Sequence, residues 1–291
     1  MQFLFSTLSL FITSACAASL TQVSDFGDNP GNDEMYIYVP DSLASEPAVI
    51  LALHPCGGDG PSYFEMFDFH TPADQGGFIL LYPSAPHDNN CWDVATTETL
   101  THNGGSDSLS LVNMVKYALT QYNGDPSQVY VTGSSSGAMM TNVLVATYPD
   151  VFVAAAAFSG VPYGCLAGSP GSSPTTADPS CANGLITKSG AEWAAMVKNA
   201  YPGYNGTYPR TQIWHGEADT FVSYHDFGEE LKEWSTVFGL SNTVNNTNTP
   251  LSGYTQIVYG DGSQLVGYSA AGVGHFVPTD VNTVLGWFGL S

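Results

Sequence analysis

The sequence has little positive charge. Lysine and arginine together number 5 among 291 residues, against 26 aspartates and glutamates, so the formal net charge at pH 7 is −21. A surface this acidic repels phosphate backbones and anionic lipid headgroups. We therefore expect neither a nucleic-acid partner nor binding to a membrane surface.

Several sequence features are missing as well. After residue 17 no stretch reaches the ~18 apolar residues that a membrane-spanning helix needs. There is no CxxC pair, which argues against a zinc site, and we expect no metal and no cofactor. We find no internal repeat, no long linker and no Cys-rich cellulose-binding module after the last predicted helix. We therefore expect 18–291 to be a single domain, and its 12% of aromatic residues indicates a folded one.

The amino terminus predicts secretion. An apolar run over 3–12 precedes Ala15-Cys16-Ala17, a small-x-small cleavage pattern, so we interpret 1–17 as a secretory signal and the protein as extracellular. The alternative is a buried first helix. Sequons that begin at Asn205 and Asn245 predict glycosylated surface segments, which fits a secreted glycoprotein.

The mature chain keeps an even number of cysteines, as expected in an oxidising compartment: Cys56, Cys91, Cys165 and Cys181. These allow three pairings. We favour Cys56–Cys91 together with Cys165–Cys181, because the second bridge would close a Gly/Ser/Pro-rich loop that core burial cannot order.

Buried apolar runs alternate with helical patterns along the chain. The sequence predicts strands over 35–39, 48–53, 78–82, 129–132, 151–158, 211–215, 254–259 and 265–268. It predicts helices over 107–122, 138–147 and 227–238, and a last helix capped by Thr279 and ending near 288. This alternation is typical of a three-layer α/β sandwich with a mostly parallel central sheet.

One motif points to nucleophilic chemistry. Gly133-Ser134-Ser135-Ser136-Gly137 matches G-x-S-x-G, with a predicted strand before it and a predicted helix after it. Only Ser135 has a glycine two residues away on both sides, so Ser135 is the candidate nucleophile. The alternative is an ordinary Gly/Ser turn.

A serine nucleophile needs a base, and in this type of motif the acid and the histidine follow it in the chain. We assign the acid to Asp219, which lies deeper than Glu217 in the loop after the strand over 211–215. The base is His275, on a Gly-flanked loop before the last helix, because His225 lies too close to the acid in sequence. His215 is interpreted as a packed residue at the strand end.

An oxyanion hole needs two backbone N–H donors. One is expected from Ser136, the residue after the nucleophile. The other is expected from the Gly-rich loop over 54–58, where Cys56 or Gly57 could donate; a plain turn is the alternative.

These motifs together resemble carbohydrate esterase family 1, in its fungal branch of feruloyl esterases and acetyl xylan esterases. The segments that carry the resemblance span most of the mature chain: 19–23, 100–108, 129–141, 148–152 and 272–275. The resemblance implies an α/β-hydrolase fold, a triad of Ser135, Asp219 and His275, and oxyanion donors at Cys56 and Ser136.

Three further segments, over 54–58, 67–75 and 274–280, look more like the type B feruloyl esterases. The expected function is therefore a secreted serine esterase that hydrolyses feruloyl (hydroxycinnamoyl) esters on plant cell-wall xylan through an acyl-enzyme. The alternatives are an acetyl xylan esterase and a non-catalytic wall-binding protein on the same fold.

Trp92 is the candidate for substrate binding. It follows Cys91 directly, so a Cys56–Cys91 bridge would bring it near the oxyanion loop, where its ring could stack on a cinnamoyl group. The alternative is that Trp92 packs beneath that loop.

Overall fold

The computed structural model describes residues 18–291, so the predicted secretory signal lies outside the described residues. Ten strands of this part of the chain form one sheet. In chain order the elements are β1 (Thr21–Val23), β2 (Met35–Tyr38), β3 (Val49–Leu53), α1 (Gly60–Met66), α2 (His70–Gly76), β4 (Ile79–Leu81), α3 (Ser106–Tyr122), β5 (Val129–Ser134), α4 (Ser136–Thr147), β6 (Ala154–Phe158), α5 (Gly190–Ala200), β7 (Arg210–Gly216), α6 (Tyr224–Phe238), β8 (Asn242–Thr247), β9 (Tyr254–Tyr259), β10 (Leu265–Ala270) and α7 (Val281–Phe288).

The centre of the sheet is parallel and its two margins are antiparallel. The strand order is β1-β2-β4-β3-β5-β6-β7-β10-β9-β8, and the run from β4 to β10 is parallel throughout. β3 shows why its sequence forms a central strand, because Val49, Leu51 and Leu53 pack into one core while Ile50 and Ala52 pack into the other. A strand buried on both faces must be apolar at every position.

Helices cover both faces of the sheet. The residues of α3, α4, α5 and α6 pack into the first core, and those of α1, α2 and α7 pack into the second. The predicted three-layer α/β sandwich is therefore confirmed. None of the helices found in 18–291 is long and apolar enough to cross a bilayer.

The sequence patterns missed the 11-residue helix α5, as well as short elements and edge elements. β8 is exposed at all six positions and Val244 is its one apolar residue, so it has no apolar alternation to detect. α1 and α2 are only seven residues each, and α2 contains Pro72. The N-cap of the last helix is Asp280 and not Thr279, because the Asp280 carboxylate accepts a hydrogen bond from the Thr283 N–H.

Both favoured disulfides are present. Cys56–Cys91 joins the loop after β3 to the segment after β4, and Cys165–Cys181 closes a loop between β6 and α5. We call residues 165–181 the disulfide loop. The sequon residues Asn205 and Asn245 are exposed, as glycosylation would require.

Helix α6 carries an unusual set of buried carboxyl groups. Asp226, Glu230 and Glu233 are each fully buried. Burial, and then the charges of Glu229 and Asp219, raise the pKa of Asp226 to about 8. Burial also raises the pKa of Glu230 to about 8, although a hydrogen bond from the Asn142 amide opposes the rise. These acids therefore remain protonated in the folded chain at a pH where they ionise in the unfolded chain.

This set predicts how stability depends on pH. Between about pH 4 and pH 8 the folded state holds protons that the unfolded state has released, so the free energy of unfolding falls as the pH rises. Glu230→Gln removes one such group and keeps an acceptor for the Asn142 amide. It should lessen the fall in the free energy of unfolding by at most about 1.4 kcal/mol per pH unit, the limit for one proton. The measurement is the thermal midpoint of both proteins from pH 5 to pH 8. Glu46→Gln, at an exposed position, is the control that should keep the wild-type slope; a Glu230→Gln profile as steep as wild type would contradict the account.

Candidate active site

Ser135 lies on a tight turn between β5 and α4. Its backbone has φ 55° and ψ −119°, a conformation that L-residues rarely adopt and that stores strain. The two flanking glycines are required by close backbone approach. A Cβ on Gly133 would collide with the backbone of Gly137, and a Cβ on Gly137 would collide with the carbonyl of Leu53 in β3. The strand before the motif and the helix after it are thus both present, and we call the tight turn at Ser135 between them the elbow.

The three predicted catalytic side chains form one hydrogen-bonded line. His275 Nε2 lies 2.8 Å from Ser135 Oγ, and His275 Nδ1 lies 2.7 Å from Asp219 Oδ2. They come from the carboxyl ends of β5, β7 and β10, which meet at one edge of the sheet. Gly216 permits this meeting, because a Cβ there would collide with the carbonyls of Val273 and Gly274.

Asp219 is surrounded by donors. Its Oδ1 accepts from the backbone N–H groups of Phe221 (2.8 Å) and Val222 (3.0 Å), and its Oδ2 contacts both His275 and His215, the latter at 3.1 Å. Burial opposes ionisation, but these hydrogen bonds outweigh it and hold the pKa of Asp219 well below its ordinary value. Asp219 is therefore an ionised carboxylate with a fixed orientation.

The rival residues lie elsewhere. Glu217 accepts a hydrogen bond from the Ser269 hydroxyl at 2.6 Å, and His225 Nε2 contacts Thr187 Oγ1 at 3.0 Å. His215 is fully buried at the end of β7, as expected. Its Nε2 lies 3.1 Å from the Val222 carbonyl, as well as near Asp219, so it braces the acid loop.

The two candidate oxyanion donors, Cys56 N–H and Ser136 N–H, belong to residues that line the same cleft as Ser135. Within residues 18–291, neither Cys56 N–H nor Ser136 N–H donates a hydrogen bond to the protein, and both residues line the cleft at Ser135. Gly57 N–H, the other candidate, is occupied by the Asn89 carbonyl at 2.9 Å. The geometry therefore favours Cys56 over Gly57 as the second donor.

The segment over 54–58 is held firmly. His54 is fully buried; its Nδ1 contacts the Pro55 carbonyl at 2.7 Å and its Nε2 accepts from the Ala85 N–H at 3.1 Å. Burial lowers the pKa of His54, which fits a neutral imidazole in this place. The Cys56–Cys91 bridge ties the same segment to the chain before Trp92.

The prediction that Trp92 forms a wall of the acyl pocket is wrong. Trp92 is fully buried, and it is not among the residues that line the cleft. Its Nε1–H donates to the His54 carbonyl at 2.9 Å, and its backbone N–H donates to Ser136 Oγ at 2.9 Å. The Cys56–Cys91 bridge brings Trp92 against the segment over 54–58, where its indole packs on His54 and its backbone N–H binds Ser136 Oγ.

A cleft of about 330 Å³ opens at Ser135, which is within the ~300–1,000 Å³ typical of small-molecule sites. Much of its wall comes from the disulfide loop. Its apolar lining includes Met139, Leu166, Pro174, Ala177, Pro179 and Val222. The surface around the nucleophile can therefore receive an apolar acyl group.

A turn over residues 88–90 makes hydrogen bonds to both the disulfide loop and the segment over 54–58, which we call the oxyanion segment. Asp88, Asn89 and Asn90 all have positive φ. The Asp88 carboxylate accepts from the N–H groups of Ser172 (2.7 Å) and Ser173 (2.8 Å) and from the Thr176 hydroxyl. The other side of the turn contacts the oxyanion segment, because the Asn90 amide donates to the Gly58 carbonyl at 3.1 Å.

Burial opposes ionisation of Asp88, but its hydrogen bonds lower the pKa and keep it charged. Sequence reasoning missed Asp88, His54 and the contact of His215 with Asp219. The Asp-Asn-Asn run over 88–90 is a local sign of a turn with positive φ. The residues that donate hydrogen bonds to Asp88, Ser172 and Ser173, lie about 85 residues further along the chain, so no local pattern indicates these contacts.

Metal ligation has one geometric candidate in the described part of the chain. Cys165, Cys181 and Asp226 bring their ligand atoms together, but the two sulfurs are bonded to each other and offer no thiolate.

Comparison with known proteins agrees with this geometry. The family model described as "Esterase PHB depolymerase" matches residues 34–247. A feruloyl esterase B of Talaromyces stipitatus is 61% identical over 98% of this chain and 79% of its own length. An acetylxylan esterase A of Aspergillus awamori is 44% identical over 94% of this chain and 90% of its own length.

Solved structures give the same result. The acetyl xylan esterase from Aspergillus awamori has a TM-score of 0.88 at 44% identity, covering 94% of this chain and 100% of that one. The match of family, relatives and fold confirms the resemblance predicted from the motifs. The chain belongs to the PHB depolymerase esterase family, in the group that contains the fungal feruloyl esterases B and acetylxylan esterases A.

Proposed function

We propose that this protein is a serine esterase that releases feruloyl (hydroxycinnamoyl) groups from plant cell-wall xylan. The observation that carries the proposal is the hydrogen-bonded line from Asp219 through His275 to Ser135, at the floor of a cleft with an apolar wall. The similarity to feruloyl esterases B, at up to 61% identity, supports the acyl group.

In this proposal Ser135 attacks the ester carbonyl while His275 Nε2 takes the hydroxyl proton. The carbonyl oxygen becomes an oxyanion and accepts hydrogen bonds from the N–H groups of Cys56 and Ser136. His275 then gives its proton to the departing alcohol oxygen as the carbon–oxygen bond breaks. The remaining feruloyl-Ser135 ester is hydrolysed by water in the same way, with His275 as base.

Asp219 orients the imidazole and stabilises its protonated form. A carboxylate hydrogen-bonded to Nδ1 fixes the tautomer in which Nε2 can accept the serine proton. Because its own pKa is held low, Asp219 stays ionised when His275 becomes positively charged. His215 and the N–H groups of Phe221 and Val222 are the supports of this carboxylate.

Acetyl removal is the second candidate. A solved acetyl xylan esterase aligns with a TM-score of 0.88, and relatives of that name reach 47% identity. Acetyl is much smaller than the cleft beside Ser135, whereas a feruloyl group would contact its apolar wall. That difference is the reason we place feruloyl first.

We also propose that the enzyme is secreted and consists of one catalytic domain over 18–291. Two disulfides within the chain suit an oxidising compartment, and the apolar run before residue 17 suits a secretory signal. The polysaccharide partner would then be met outside the cell.

Assays on two esters test the proposed function. We expect release of ferulic acid from methyl ferulate with a kcat/KM well above that for release of acetate from acetylated xylan. Ser135→Ala should reduce the feruloyl activity by about 10⁴-fold or more, because triad members act as a unit. Ser134→Ala is the matched control, since its hydroxyl contacts Tyr63 and not His275. Acetate release without any ferulate release would reverse the order of the two candidates, and the absence of both would favour a non-catalytic binding protein.

Asp88 should act on the shape of the acyl pocket. Asp88→Ala removes the acceptor of three donors in the disulfide loop, so the wall that contacts the acyl group should loosen. We expect the ratio of kcat/KM for methyl ferulate to that for p-nitrophenyl acetate to fall by roughly tenfold. Asp41→Ala, at an exposed position before β3, should leave the ratio unchanged. An unchanged ratio in Asp88→Ala would show that the disulfide loop holds its shape without this carboxylate.

A further inference from the structure

Two exposed phenyl rings lie beside the catalytic histidine. Among the large hydrophobic side chains exposed in 18–291, the only aromatic ones are Phe221, 69% exposed, and Phe276, 71% exposed. Their ring centroids lie 5.5 Å and 5.4 Å from that of His275. Exposed aromatic rings cost hydrophobic free energy, and here both are found at one mouth of one cleft.

The proposed reaction determines where the alcohol part and the acyl part of the ester must lie. The departing alcohol must receive its proton from His275 Nε2, so the alcohol has to lie next to the imidazole. In the proposed mechanism the acyl carbonyl oxygen points toward Cys56 N–H and Ser136 N–H, and both residues line the same cleft as Met139 and Leu166. Exposed groups that flank His275 are therefore placed to contact the alcohol.

The chemistry of this mouth suits a neutral sugar. Flat, exposed rings can cover the C–H face of a pentose, while the hydroxyl groups of the sugar remain in water. Among residues 18–291, no lysine or arginine lines the cleft, so the carboxylate of a uronic acid would find neither side chain to pair with there. The net charge of −21 also disfavours an acidic saccharide.

We infer that Phe221 and Phe276 form a binding subsite for the neutral pentose that carries the ester, on the leaving-alcohol side of His275. The inference rests on the proposed esterase function and deepens it. The two rings contact the sugar in the Michaelis complex and hold its ester oxygen near His275 Nε2. Specificity for polysaccharide esters over simple alkyl esters would then come from these rings.

The test keeps the acyl group constant and changes the alcohol. Kinetics are measured on methyl ferulate and on 5-O-feruloyl-L-arabinose with the full enzyme. In Phe221→Ala/Phe276→Ala, we expect the ratio of kcat/KM for the sugar ester to that for the methyl ester to fall roughly ten- to fiftyfold, mainly through KM. The tyrosine pair Phe221→Tyr/Phe276→Tyr should keep the wild-type ratio, because it keeps two flat faces.

Two further variants make the result decisive. Phe221→Leu/Phe276→Leu keeps apolar side chains but removes the rings. Its ratio of kcat/KM for the sugar ester to that for the methyl ester should fall as it does in the alanine pair. Leu251→Ala, at an exposed hydrophobic position outside the cleft lining, should behave as wild type. A thermal midpoint for each variant shows that it is folded. Equal losses on both esters, or an unchanged ratio, would overturn the inference.

The experiment distinguishes an error in the proposed acyl group from an error in the proposed sugar subsite. If the wild-type enzyme cleaves only acetyl esters, the same ratio is measured with acetylated xylose and methyl acetate. A fall in that ratio in the alanine pair supports the subsite, and no fall overturns it.

Discussion

The hydrogen bond between the Asp219 carboxylate and the His275 imidazole is the contact on which the site depends. It joins two loops that leave different strands, and it is possible only because Gly216 lets their backbones meet. A buried carboxylate is costly unless donors surround it, and here His215 and two backbone N–H groups provide them. The fold thus stabilises the ionised form that the proposed chemistry requires.

The remaining parts of the site follow from close approach at the same sheet edge. Gly137 allows α4 to begin against β3, which brings Ser136 N–H near the oxyanion segment. The Cys56–Cys91 bridge and the buried Trp92 then hold that segment against the elbow. Asp88 and Asn90 extend this connection to the disulfide loop. The proposed oxyanion hole and the proposed wall of the acyl pocket are therefore held by the same turn.

Local patterns were sufficient where the chemistry is local. The glycines around Ser135 mark the elbow, and the continuously apolar run of β3 marks a central strand. Asp219 and His275 followed from chain order within the motif type. Trp92 shows the limit of such local patterns. Its position near the segment over 54–58 was predicted correctly, but the direction of its side chain was not. Contacts such as Asp88 with Ser172 join segments whose sequences carry no sign of each other, and the polar edge strand β8 has no hydrophobic pattern at all.

The central claim is that Ser135 carries the acyl group during turnover. The most direct measurement is mass spectrometry of peptides from enzyme quenched in acid during hydrolysis of p-nitrophenyl ferulate, whose good leaving group makes formation of the acyl-enzyme fast relative to its hydrolysis. The account predicts a feruloyl adduct on the peptide that contains Ser135 and none in Ser135→Ala. An adduct on another residue, or active turnover with no adduct at any quench time, would contradict it.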